Sequence, residues 1–157
     1  VAGAVAEAAV TAILEAGSKE AVVDNGGDIA LYIREPIRIG IFSGFGGVHN
    51  LALEVEPRES AFGICTSSGT IGHSFSYGKA DAALVVSEDI LLADAAATAL
   101  GNRITDASDI EHAFDTFQSI REIKGAMAIF GQRIGIWGSL PRLTKARVDI
   151  ELITKGR

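Results

Sequence analysis

The amino-acid sequence predicts an α+β fold, with mixed or antiparallel sheets and helices packed against them. Three observations point there. Strand-like runs come in groups rather than in strict alternation with helices, which disfavours a doubly wound parallel sheet. Two alanine-rich segments read as helices. Glycine-containing turns join short alternating runs near both ends of the chain, as hairpins do.

The elements follow in order. Residues 1–17, VAGAVAEAAVTAILEAG, read as a helix ended by Gly17. Residues 21–33 read as two strands around Asp24-Asn25-Gly26-Gly27-Asp28. Residues 36–42 alternate as a half-buried strand, followed by the glycine-rich Ser43–Gly47 loop and a strand at 51–56. AFGICTS at 61–67 is a strand that runs into the polar loop Ser68–Ser74. ADAALVV at 80–86 is an apolar strand. Ser87-Glu88-Asp89 starts a helix that runs to Leu100 and leaves through Gly101-Asn102. Residues 108–120 are predicted as a further helix, with Ile110, Phe114 and Phe117 on one stripe. GAMAIFGQRIGIWG reads as a hairpin turning near Gly131-Gln132, and Arg147–Ile153 as a last strand.

Composition narrows the function classes. The chain has 157 residues, 48% hydrophobic and 22% charged, so it can build a core without cross-links. A net charge of −6 argues against a module held to nucleic acid by phosphate neutralisation. No apolar run approaches the ~20 residues of a membrane span. The one cysteine, Cys65, excludes a disulfide framework and a cysteine-based zinc site. No signal-peptide pattern is present, and a cytoplasmic location is expected. The helical pattern opens at Val1 without a preceding cap, so the expectation is one domain, 1–157, lacking an N-terminal portion.

Three segments carry chemistry. In ILLADAAATAL, residues 90–100, only Asp94 and Thr98 are polar, and their spacing puts them on one helix face. The remainder reads as a helix buried all round. A carboxylate there needs a partner, because desolvating a charge costs several kcal/mol. A hard cation, Mg²⁺ or Ca²⁺, suits an Asp carboxylate, a Thr hydroxyl and a loop carbonyl. The bland alternative is an Asp bonding loop amides and a Thr bonding the carbonyl one turn back. The second segment, Thr66–Ser74, offers an anion nest at Ser67, Ser68, Gly69 and Thr70, with His73 as an acid or base. The alternative is an ordinary connection with a surface histidine. The third, Asn25-Gly26-Gly27-Asp28, has glycines that let a ligand approach the backbone closely and offer carbonyls to a metal, or is simply a tight hairpin turn. Cys65 and Trp137 read as core or edge residues, and Arg142, Lys145 and Arg147 as a solvated face.

Together these segments resemble the FAD:protein FMN transferases, the ApbE family. The chain looks closest to an uncharacterised prokaryotic sister family of that group. The matching stretches are VDNGGDIA at 23–30, TSSGTIGHSFSYGKADAALVV at 66–86 and LLADAAATALGN at 91–102. The resemblance implies FAD as cofactor or substrate. It implies Mg²⁺ held by Asp94 and Thr98, with a carbonyl from Asn25–Gly27, and ligand contacts at Ser67–Thr70. It implies His73 as the base in FMN transfer to an acceptor protein, or in hydrolysis of FAD to FMN and AMP. The family's acidic, proline-containing segment after that histidine is replaced here by Ser74-Phe75-Ser76-Tyr77-Gly78. The alternative expectation is a flavin-, nucleotide- or metal-binding protein without chemistry, and a homo-oligomer is compatible with either.

Overall fold

The computed structural model describes residues 1–44, 48–70 and 77–147. Among these, two sheets and one helical layer form three layers. Helix α1 spans Ala2–Glu15 and leads to the hairpin β1 (Ala21–Asn25) and β2 (Asp28–Tyr32). Strands β3 (Ile37–Ile41), β4 (Leu51–Val55), β5 (Phe62–Ser67) and β6 (Ala82–Ser87) follow. Helix α2 is Ile90–Arg103, and the chain closes with β7 (Ile123–Phe130), β8 (Arg133–Gly138) and β9 (Arg142–Lys145). The large sheet has the order β1-β2-β5-β6-β7-β8 and the small one β3-β4-β9. Every pairing is antiparallel, which bears out the α+β expectation.

Strand alternation gives the large sheet two faces. Leu31, Phe62, Ile64, Leu84, Met127 and Ile129 meet Leu53 and Val55 of the small sheet. Cys65, Ala83, Val85, Ala126 and Ala128 lie under α2, and Ala30 lies under α1. Small residues on that face bring the helices close. A Cβ added at Gly63 would lie 3.0 Å from the Ile90 Cα and 3.3 Å from the Ala93 Cβ.

The first hairpin forms as expected. Gly26 and Gly27 adopt φ of +70° and +100°, the left-handed pair that a two-residue turn needs. Two expectations are corrected. Helix α2 continues through Gly101 and Asn102 to Arg103, because Gly101 packs against Ser67 where a left-handed exit would leave a gap. The predicted helix at 108–120 is two 3-10 segments, Ala107–Glu111 and Asp115–Ser119. Asp106 and Asp109 form a reciprocal cap at the first, which tightens the turn, while Ile110, Phe114 and Phe117 still reach the core. The last described strand is β9, paired with β4 through Arg142 and Glu54; the predicted strand Arg147–Ile153 lies, from residue 148 on, outside the described residues. Among the described residues no helix is long and apolar enough to cross a membrane.

The seating of α2 on Gly63 has a measurable consequence. Gly63→Val overpacks that contact and should cost about 1–3 kcal/mol. Urea unfolding followed by circular dichroism measures it, and an unchanged midpoint would contradict the close approach.

Candidate functional site

The three segments separated in sequence meet at one end of β5 and α2. The β2–β5 register places Asp28 opposite Cys65, on the helical face of the sheet. The Thr66 N–H donates to the Gly27 carbonyl at 3.0 Å, holding the Asn25–Gly27 turn beside the end of β5. The Asn25 amide donates to the Ala2 carbonyl at 3.1 Å, tying the same turn to the start of α1. On the other side, a Cβ at Gly101 would lie 3.3 Å from the Ser67 hydroxyl. Asp94 and Thr98 lie on α2 within this arrangement, and α1 lies alongside.

Asp94 is the electrostatic centre. Its Oδ2 accepts from the Val1 ammonium and from the Gly3 N–H, each at 2.9 Å. It therefore caps the N-terminus of α1, where a helix dipole favours negative charge. A Cβ at Gly3 would lie 2.7 Å from the Asp94 Cβ, so only glycine admits the carboxylate this close. The Gly3 N–H thus gives Asp94 a partner from the polypeptide itself. Nor is α2 buried all round. Its inner face, Ile90, Ala93, Ala96, Ala97 and Leu100, is buried, but Leu91 and Thr98 are exposed and Asp94 is half-buried. Oδ1 of Asp94 and the Thr98 hydroxyl carry no hydrogen bond among the described residues, and the threonine back-bond to the preceding turn is absent there.

Asp28 is the acid that sequence reasoning missed. It was read as part of a turn. Burial, and then the charge of Asp94, push its carboxyl up from 3.8 to about 6. The same surroundings push the Cys65 thiol up: burial first, then the charges of Asp28 and Asp94. Cys65 is fully buried with its Sγ 3.8 Å from the Ile90 carbonyl, an inert core thiol.

The Ser67–Thr70 segment differs from an open anion nest. The Gly69 N–H donates to the Ala80 carbonyl at 2.8 Å, and the Thr70 N–H to the Ser68 hydroxyl at 3.1 Å. Both amides are therefore spent within the protein. His73 lies outside the described residues. Among the described residues no three His, Cys, Asp or Glu side chains group around a metal position, so a cation here would draw on hydroxyl and carbonyl oxygens as well as Asp94.

A family described as AbpE bacteria matches residues 1–122. The chain belongs to that family. This bears out the resemblance to an ApbE-like sister group. Curated relatives named UPF0280 protein align along 99% of the chain. The relative from Methanocella arvoryzae is 51% identical over 156 residues, and the chain covers 64% of it. Those from Methanosarcina barkeri and Methanosarcina acetivorans are 51% and 49% identical, and the chain covers 62% of each. The chain thus spans less than two thirds of the length of these family relatives.

Asp28 gives the site a pH signature. A carboxyl with a raised folded pKa binds its proton more tightly in the folded state. Its contribution to stability is therefore fully present below pH 3.8, falls as pH rises towards 6, and is flat above. Asp28→Asn removes that loss. The variant's Tm should exceed the wild type's by a margin that grows between pH 4 and pH 7, read by scanning calorimetry; a constant margin would contradict the shift.

Proposed function

We propose that this site binds a flavin dinucleotide together with a divalent cation and supports cleavage of its pyrophosphate or transfer of its FMN portion. One observation carries the reading: Asp28 and Asp94 lie close enough beside the Asn25–Gly27 turn for the charge of Asp94 to push the Asp28 carboxyl up, and Asp94 is held there by the Gly3 N–H. A cation restores the balance that two adjacent acids lack.

The donor set fits the group. Asp94 Oδ1 and the Thr98 hydroxyl are one turn apart on α2 and would hold Mg²⁺ or Ca²⁺, as oxygen-seeking ions prefer. Bound Mg²⁺ would neutralise the charge of the pyrophosphate. The protein's own residues do the rest. The Ser67–Thr70 segment borders the ligand's phosphate region, and the glycines at 26 and 27 let it approach the backbone. His73 takes the proton from the attacking hydroxyl of an acceptor protein or of water. Membership of an ApbE-like family supports this assignment.

A second reading is binding without turnover. It is favoured by the occupation of Asp94 Oδ2 by the first turn of α1, which leaves one carboxylate oxygen for a cation. Mass-spectrometric detection of FMN and AMP formed from FAD only when Mg²⁺ is present separates the two.

Stabilisation by ligand tests the metal assignment. At a hundredfold excess over Kd, a ligand adds about 2.7 kcal/mol, which for a domain of this size is roughly 5–10 °C in Tm. FAD with Mg²⁺ should produce that rise, and Asp94→Ala should abolish its Mg²⁺-dependent part. A full rise in the variant removes Asp94 as ligand. His73→Ala should lower turnover and leave FAD affinity nearly unchanged; an unaltered rate removes it from the mechanism.

A further inference from the structure

Asp81 is a half-buried carboxylate that none of the preceding chemistry uses. It follows the polar loop and precedes β6, and its backbone N–H donates to the Ile129 carbonyl at 2.8 Å. Its two oxygens face different segments. Oδ1 accepts from the Thr70 hydroxyl at 3.2 Å. Oδ2 accepts from the Gly131 N–H at 2.6 Å, in the turn between β7 and β8. Among the described residues no Lys, Arg or His pairs with it. A carboxylate held by uncharged donors, one on a candidate ligand segment and one on a hairpin turn, is a bridge between a loop and the rigid sheet.

The bridge matters because it joins the loop to the sheet through side-chain hydrogen bonds. Gly69 is held by the Ala80 carbonyl, one residue before Asp81, and Thr70 leans on Ser68, its own neighbour in the loop. Asp81 is what connects the Thr70 side chain to the β7–β8 hairpin. It also fixes the direction of the Thr70 proton. A carboxylate only accepts, so the Thr70 hydroxyl donates to Asp81 and turns its lone pairs elsewhere.

We propose that Asp81 is a positioning residue of the ligand site: it holds the Ser67–Thr70 segment in place against the sheet, with the Thr70 hydroxyl donated to Asp81 and not to the ligand. This rests on the reading of Ser67–Thr70 as ligand-binding and adds a residue to it. Asp81 acts through Thr70 and needs no contact with the ligand. Partners of this kind typically change affinity 10- to 100-fold when removed.

Two measurements on the 157-residue chain test it. Hydrogen exchange judges the positioning without any ligand. Asp81→Asn should speed exchange of the Gly69 and Thr70 amides at least tenfold and leave the amides of β5 unchanged; unchanged exchange at Gly69 and Thr70 overturns the proposal. Fluorescence anisotropy of FAD in Mg²⁺ then judges the ligand role. Asp81→Asn and Thr70→Val should each weaken binding about tenfold, and the double variant should be no weaker than either single one. Additive losses, or Asp81→Asn binding as tightly as wild type, overturn it. Asp81→Glu should recover part of the affinity, which a merely structural loss would not show. Should Asp81→Asn fail to fold, Thr70→Val alone carries the test, and wild-type affinity in it overturns the proposal. Failure of the wild-type chain to bind FAD refutes the flavin reading and with it the ligand role of Asp81; the exchange result still judges the positioning separately.

Discussion

A carboxylate placed at the first turn of a neighbouring helix organises this end of the molecule. Asp94 projects from α2 and caps α1 through the Gly3 N–H, in a gap that admits no side chain at residue 3. That contact ties the two helices together across the sheet. Asn25 reaches the Ala2 carbonyl in the same turn, so the first hairpin is drawn to the same point. Remove the negative charge and α1 loses its cap, while the hairpin keeps its anchor on a helix end that is no longer fixed.

The arrangement carries an electrostatic conflict. Asp28 faces the same space and holds its proton to about pH 6. Two acids near each other in half-buried surroundings do not both ionise freely, and either a proton or a cation relieves them. The fold tolerates this rather than replacing one acid with a neutral residue. Unfavourable charge that persists in an otherwise well-packed molecule is the expected mark of a site whose ligand supplies the opposite sign. The core around it shows no comparable conflict: the large sheet buries Phe62, Ile64, Leu84 and Met127 on one face and small residues on the other.

Much of this architecture is legible in the amino-acid sequence because it is local. The Asn25-Gly26-Gly27 turn, the strands at 37–41 and 62–67, and the cap at Asp89 each depend on a few neighbouring residues. What was not legible depends on residues far apart. Asp28 reads as a turn residue until β2 pairs with β5 and sets it opposite Cys65. Asp81 reads as one polar residue before a strand until the β7–β8 turn arrives beside it. The apolar pattern of α2 says that it packs, but not on how many sides, and the side carrying Leu91 and Thr98 is open. The first 3-10 segment, Ala107–Glu111, forms where Asp106 and Asp109 accept from neighbouring backbone N–H groups, which apolar periodicity does not register.

The most direct test of the account is a crystal structure grown with FAD and Mn²⁺, read by anomalous scattering. The account predicts a single Mn²⁺ peak against Asp94 and Thr98 on α2, with the phosphates of the nucleotide between it and the Ser67–Thr70 segment. Asp94 still bonded only to the first turn of α1, with no anomalous peak beside it and the nucleotide elsewhere or absent, would contradict it.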